Sequence, residues 1–109
     1  MGYYSELVTF HDATTTPKDG FEINTDVFNT VAVEIYGTSA SRTVNFWVKG
    51  PAGVKRAIQG ARLSDLSLQS STTGTGEIWT FDTTAIDVLI MEVAAVAGGN
   101  VTIKGRATV

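Results

Sequence analysis

Apolar and polar residues alternate along most of this sequence with the two-residue period of an extended strand, and nowhere does the spacing of an amphipathic helix persist for three turns. In TVAVEIYG, residues 30–37, Val31, Val33 and Ile35 share one face while Ala32, Glu34 and Tyr36 share the other. TVNFWVKG, residues 43–50, repeats the pattern with Val44, Phe46 and Val48 inward and Asn45, Trp47 and Lys49 outward. Gly50-Pro51-Ala52-Gly53 is a turn, since proline presets its φ and glycine accepts a positive one, and Val54 to Ile58 returns as a strand. In ARLSDLSL, residues 61–68, a further strand puts Leu66 and Leu68 on one face and Leu63 on the other. Ser70 to Gly76 has almost nothing to bury and reads as a mobile loop. Glu77 to Asp82 resumes the sheet with Trp79 and Phe81 together on the core side. Before Val31 the pattern weakens to a short strand at Leu7 to Phe10, a polar loop at Thr14 to Gly20 and re-entry at Phe21 and Ile23. Residues 1–6, with Tyr3 and Tyr4, read as an N-terminal arm.

Near the C-terminus, register decides which side chains share a face. With Gly98-Gly99-Asn100 as a hairpin loop, Ala97 opposes Val101, so Leu89, Met91, Val93 and Ala95 lie beside Ile103, Gly105, Ala107 and Val109, and Glu92 faces Arg106. A slip of one residue would set Glu92 on the apolar face, so this pairing is the expected one. About eight strands without a helix bury one face each most simply as two sheets face to face. The predicted fold is therefore all-β, a jelly-roll-like two-sheet sandwich with an N-terminal arm.

Composition narrows the chemistry more than the fold. With 109 residues and 43% apolar side chains the chain suits one domain, residues 1–109, with a single core. It has no cysteine and one histidine, His11, which removes disulfide frameworks, Cys/His zinc sites and cysteine nucleophiles together. The net charge is −3 and the basic residues are scattered from Lys18 to Arg106, which argues against nucleic-acid binding. No run approaches a bilayer span, and MGYYSELVTF lacks a basic n-region and an apolar h-region, so the chain reads as soluble and unexported, with no membrane role.

Each constellation with possible chemistry has a simpler account. Ser5, His11 and Asp12 are the residue types of a triad, but they read as solvated residues of the leading segment, where a nucleophile has no rigid support. Glu22, Asn24 and Asp26 would share a strand face, yet no calcium loop with a closing glutamate accompanies them. Nothing selects a catalytic pair among eleven carboxylates, and neither a dinucleotide nor a P-loop motif occurs. The sequon Asn100-Val101-Thr102 falls in a tight hairpin and is read as coincidence. No catalytic residue, metal site or cofactor is expected. Trp47, pointing outward near Tyr36 if their strands pair, has two open readings: it is covered by the arm or a loop, or it is a contact residue.

The succession TVAVEIYGT, TVNFWVKG, GEIWTF, a long apolar strand and GGNVTIKGRATV resembles the small β-sandwich domains of tailed-bacteriophage virion proteins, from about Leu7 to Val109. Two features depart from that pattern. An acidic stretch common after the second strand is here Trp47-Val48-Lys49-Gly50-Pro51, and arginines common on the penultimate strand are here Leu89-Ile90-Met91-Glu92-Val93. The resemblance implies a non-enzymatic virion structural protein, foremost a head decoration (cement) protein binding the major capsid protein or other virion proteins. It would be assembled in the host cytoplasm as a homo-oligomer, with a trimer as one option. Tyr3, Tyr4, Tyr36, Trp47 and Lys49 are the expected contact residues. The alternative is a carbohydrate-binding or receptor-recognition domain of a phage tail or fibre, with Trp47 stacked on a sugar ring.

Overall fold

The structure, a computed structural model, describes residues 5–109. Its strands are β1 (Ser5–Thr14), β2 (Ile23–Asn24), β3 (Thr30–Tyr36), β4 (Ser41–Lys49), β5 (Lys55–Ala57), β6 (Gly60–Arg62), β7 (Leu68–Gln69), β8 (Ser71–Thr72), β9 (Glu77–Asp82), β10 (Val88–Ala97) and β11 (Val101–Thr108). The first sheet runs β1-β11-β3-β9-β6-β7 and the second β2-β10-β4-β5, with β8 also paired to β4. The protein is an all-β sandwich of two antiparallel sheets, as the alternation predicts.

The inward rows are those the alternation marks. Val31, Val33, Ile35, Trp79, Phe81, Val101, Ile103 and Ala107 of the first sheet meet Val44, Phe46, Leu89, Met91 and Val93 of the second in one buried cluster. Phe46 reaches across the interior between two aromatic rings of the opposite sheet, tilted against Trp79 at 5.1 Å and edge-on to Phe81 at 5.0 Å. Such offset pairs add about 0.5–1.5 kcal/mol beyond the area they bury. The Trp79 indole donates to Glu77, which also accepts from Thr72 and Arg62. Burial pushes the Glu77 carboxyl upward, but these three donors outweigh it and hold the group below the usual carboxylate range.

The expected C-terminal hairpin does not form. β10 pairs with β2 and β4, whereas β11 pairs with β1 and β3 in the other sheet. Gly98-Gly99-Asn100 is thus an arch between sheets, stacked on the β3–β4 connection, which crosses at the same end: Thr38 N–H donates to Asn100 Oδ1, Asn100 N–H to Thr38 Oγ1, and Ser39 N–H to the Asn100 carbonyl. Gly98 and Gly99 hold φ of 74° and 145°, and a Cβ on Gly99 would lie 2.6 Å from Thr38, so this crossing needs glycine. Glu92 is opposite Asn45, and Arg106 is opposite Leu7 and Ala32. The apolar residues assigned to one hairpin face do share a core, but largely from opposite walls. Alternation is the same for strands lying side by side and strands facing each other.

Three other expectations are corrected. Residues 61–68 are no continuous strand: Asp65 accepts from the Ser67 N–H and hydroxyl, and Leu66 turns at φ 60°, so β6 folds back into β7 and Leu63, Leu66 and Leu68 are exposed. The loop at 70–76 is anchored, with Ser71 and Thr72 paired to β4 and the Thr73 carbonyl accepting from the buried guanidinium of Arg42. The leading strand is much longer than Leu7 to Phe10, and Ser5 and Glu6 of the expected arm belong to β1.

Gly105 sits in the core-facing row of β11 between Val8 and Val33, where a Cβ would lie 2.6 Å from the Ala32 carbonyl oxygen. Gly105→Val is therefore expected to lose about 1–3 kcal/mol, read as a lower urea midpoint at unchanged slope. An unchanged midpoint would mean that the sheet has room here.

Candidate functional site

The two outer faces of the sandwich differ in character. On the first sheet, register builds two cross-strand rows, Leu7-Arg106-Ala32-Thr80 and Thr9-Lys104-Glu34-Ile78. Because Ala32 is small, a shallow depression opens among Leu7, Ala32, Glu34, Ile78, Lys104 and Arg106. A second depression, between Leu63 and Ile78, continues it toward β6. Leu7, Ile78 and Leu63 are exposed at 63%, 41% and 51%, so the depressions form an apolar stripe flanked by both signs of charge. Tyr36 is exposed at the end of β3, beyond the Glu34 row.

The outer face of the second sheet is partly covered. Trp47 points outward, as predicted, and is half-buried. Its indole N–H donates to Glu92 at 2.8 Å, and the Lys55 ammonium stands over its ring at 5.0 Å. Lys49, two residues on, pairs with Glu22, while Lys55 pairs with Asp19. Both acids belong to residues 15–22, which follow β1 and run along the β10 edge as a strap. Since β10 and β4 lie between that edge and Lys55, the Asp19 pair spans the outer face. Each pair is solvent-exposed and contributes at most about 1 kcal/mol. Ile90 pairs with Trp47 and alternates with the core residues Leu89 and Met91, so it points away from the core, yet it is fully buried.

Of the expected contact residues, Trp47 and Lys49 share one face. Tyr36 lies on the opposite side of the molecule, because β3 and β4 belong to different sheets. Tyr3 and Tyr4 lie outside the described residues. Ser5 and His11 stand about 20 Å apart along β1 and form no triad. Among the described residues, no three acids and histidines converge as a metal set.

His11 corrects a further expectation: it is buried within β1 rather than solvated. Its Nε2 lies 2.5 Å from the Met91 carbonyl oxygen and its Nδ1 2.9 Å from the Thr14 hydroxyl. A carbonyl can only accept, so Nε2 carries the proton and the neutral ring accepts from Thr14 through Nδ1. Burial holds the imidazole below its ordinary value; the Lys18 charge adds to this, while the Met91 carbonyl and Asp19 oppose it. The sequence carries no signal for this burial, because Phe10 and His11 are both buried at a register shift of β1, where the two-residue alternation is broken.

The sequence model of the XepA family matches residues 5–107. The chain belongs to the XepA family. It is 39% identical over 97 residues to the SPbeta prophage-derived protein YomS of Bacillus subtilis strain 168, a span of 89% of this chain and 81% of YomS. It is 35% identical over 98 residues to the phage-like element PBSX protein XepA of the same strain, covering 90% of this chain and 35% of that protein. A third relative there, YqxG, is 35% identical over 100 residues, covering 92% of this chain and 34% of YqxG. The chain thus spans about a third of the length of XepA and YqxG. The crystal structure of YomS superposes with a TM-score of 0.95 at 35% identity, covering 100% of this chain and 96% of that one. That of the PBSX exported protein XepA gives 0.98 at 31% identity, covering 100% and 39%. The phage association that the resemblance implies is thus supported through these phage-derived relatives.

Glu92 satisfies both the Trp47 indole and the Asn45 amide. Glu92→Ala is expected to cost about 1–3 kcal/mol, because a partly buried donor loses its acceptor, and to red-shift the Trp47 emission. If neither the urea midpoint nor the emission moves, Glu92 does not hold the ring.

Proposed function

We propose that this chain is a non-enzymatic structural protein of a phage particle, and that it acts as a head decoration subunit bound to the major capsid protein or a neighbouring virion protein. The observation that carries this reading is the exposed stripe of Leu7, Ala32, Ile78 and Leu63 beside Glu34, Lys104 and Arg106, on a chain whose relatives include prophage-derived proteins. Apolar surface flanked by charge suits a protein partner, where burial supplies affinity and charge sets orientation.

A six-stranded face of roughly 500 Å² is smaller than the roughly 800 Å² that each partner buries in a standard interface. A homo-oligomer would offset this, since several weak contacts on one lattice multiply. The mechanism is linkage: a subunit that binds assembled shell but not free capsid protein favours the shell by mass action. This contact face differs from the one around Trp47, which the strap and Lys55 partly occupy. The same occupation counts against a sugar stacking on Trp47. Location in the virion, after assembly in the host cytoplasm, belongs to the same proposal.

The test is co-sedimentation of the protein with empty phage heads that lack it. The protein is expected to pellet with the heads, and Leu7→Glu with Ile78→Glu to abolish pelleting while leaving the circular dichroism spectrum unchanged. Failure of the unaltered protein to pellet sinks the head role. Glycan binding lost in Trp47→Ala would instead favour receptor recognition.

A further inference from the structure

The outer edge of β10 is incompletely covered by strand. β2 pairs with Val88 and Leu89, and Lys18 exchanges both backbone hydrogen bonds with Val93. Between these two attachments the Met91 carbonyl points at the same edge, because backbone groups alternate along a strand. Among the described residues no neighbouring strand pairs with it there; the His11 side chain meets it instead, reaching from β1 of the other sheet. The strap bends around that ring. Phe21 N–H donates to the Phe10 carbonyl, and Gly20, at φ 74°, lies so close that a Cβ there would be 2.5 Å from the His11 ring. The imidazole therefore fills the space between β1, β10 and the strap.

Few other bonds hold the strap among the described residues. They are the backbone bonds of Lys18 and Phe21, the contact of the Asp19 backbone with the His11 ring, and the two exposed ion pairs to Lys55 and Lys49. Segments held this way open at low free-energy cost, independently of the core. Across the face it spans are the half-buried Trp47 and the fully buried Ile90.

We propose that residues 15–22 are a releasable strap latched by His11, which opens when the imidazole takes up a second proton and bares the Trp47 and Ile90 face of the second sheet. Charged groups around the ring are Lys18 and Asp19 on the strap and Asp12 on β1. From β10 the ring meets only the Met91 carbonyl, since Glu92 points to the outer face and bonds Trp47; from β11 its register partner is Ile103. Asp19 pairs with Lys55; burial, with the Lys18 charge, outweighs the Met91 carbonyl and the backbone carbonyl and charge of Asp19, which favour the charged ring. The direction follows from linkage. In the closed state burial disfavours the charged ring, whereas an open strap admits water and returns it to its ordinary value of 6.5. The open state then binds the proton more readily, so opening grows as pH falls below 6.5 and levels off once the closed ring also protonates. The device needs no partner and is independent of the role proposed above.

Amide hydrogen exchange by NMR, corrected for intrinsic rates, tests it at about pH 7.5 and about pH 5. Opening should rise by several-fold, up to the roughly 30-fold that one site of ordinary value supplies over this range. The rise should appear at Lys18, Phe21 and Val93 and be absent at Val33 and Ile35. In His11→Gln, whose amide can still donate to Met91 but cannot titrate, the response should vanish. In Lys49→Met, a surface change that removes the Glu22 ion pair and leaves Asp19 held by Lys55, it should persist with the same midpoint, which also guards against a His11 variant that does not fold. A strap response below about twofold in the unaltered protein, or one abolished by Lys49→Met, would overturn the latch.

Discussion

The insertion of Phe46 between Trp79 and Phe81 is the contact on which the arrangement of this sandwich rests. It joins the middle of β4 to the middle of β9 across the interior, and so helps set the spacing of the sheets and the direction in which each presents its other row. Once Phe46 points inward, Asn45, Trp47 and Lys49 must point out; once Trp79 and Phe81 do, Ile78 and Thr80 must as well. Close packing extends to the backbone. At Gly60 a Cβ would lie 2.5 Å from the Phe81 ring, so β6 can approach β9 only because that position has no side chain. The polar end of Trp79 is met by Glu77, which is itself held by Thr72 and Arg62.

A sandwich of this kind must also manage its edges, where unpaired backbone groups invite association. Here β2, β5 and β7 are only two or three residues long, and β1 is interrupted by register shifts near His11. On the β10 edge the solution is a side chain. His11 supplies the donor that a strand would have supplied, and the strap covers the remainder. The two faces consequently differ in construction. The first sheet's outer rows lie on β1, β11, β3 and β9, paired in register from Ser5 to Thr9 and from Thr30 to Ile35, while the second sheet's face lies beside a segment secured by few backbone bonds.

Much of the fold was legible because inward and outward rows are local properties. Val31, Val33 and Ile35, or Trp79 and Phe81, declare their face through their neighbours alone. The candidate surface was less legible. Trp47 and Lys49 were placed on one outer face correctly, but Tyr36 belongs to the other, and the exposure of Leu63 follows from an Asp65 turn that breaks an apparently regular strand. His11, in a weakly patterned stretch next to Asp12, offered no indication that a carbonyl 80 residues away would engage it.

By itself, then, the order of residues determined the all-β class, the apolar rows that make the core and the turns rich in glycine and proline, since each depends on a period of two or on local φ preferences. Which strands became neighbours was decided only by the tertiary structure. A period of two is identical whether two strands lie side by side in one sheet or face each other across a core, so the Gly98-Gly99-Asn100 connection could be a hairpin or an arch. The arch prevailed through its hydrogen bonds to Thr38 and Ser39, and that long-range choice put Tyr36 and Trp47 on opposite faces.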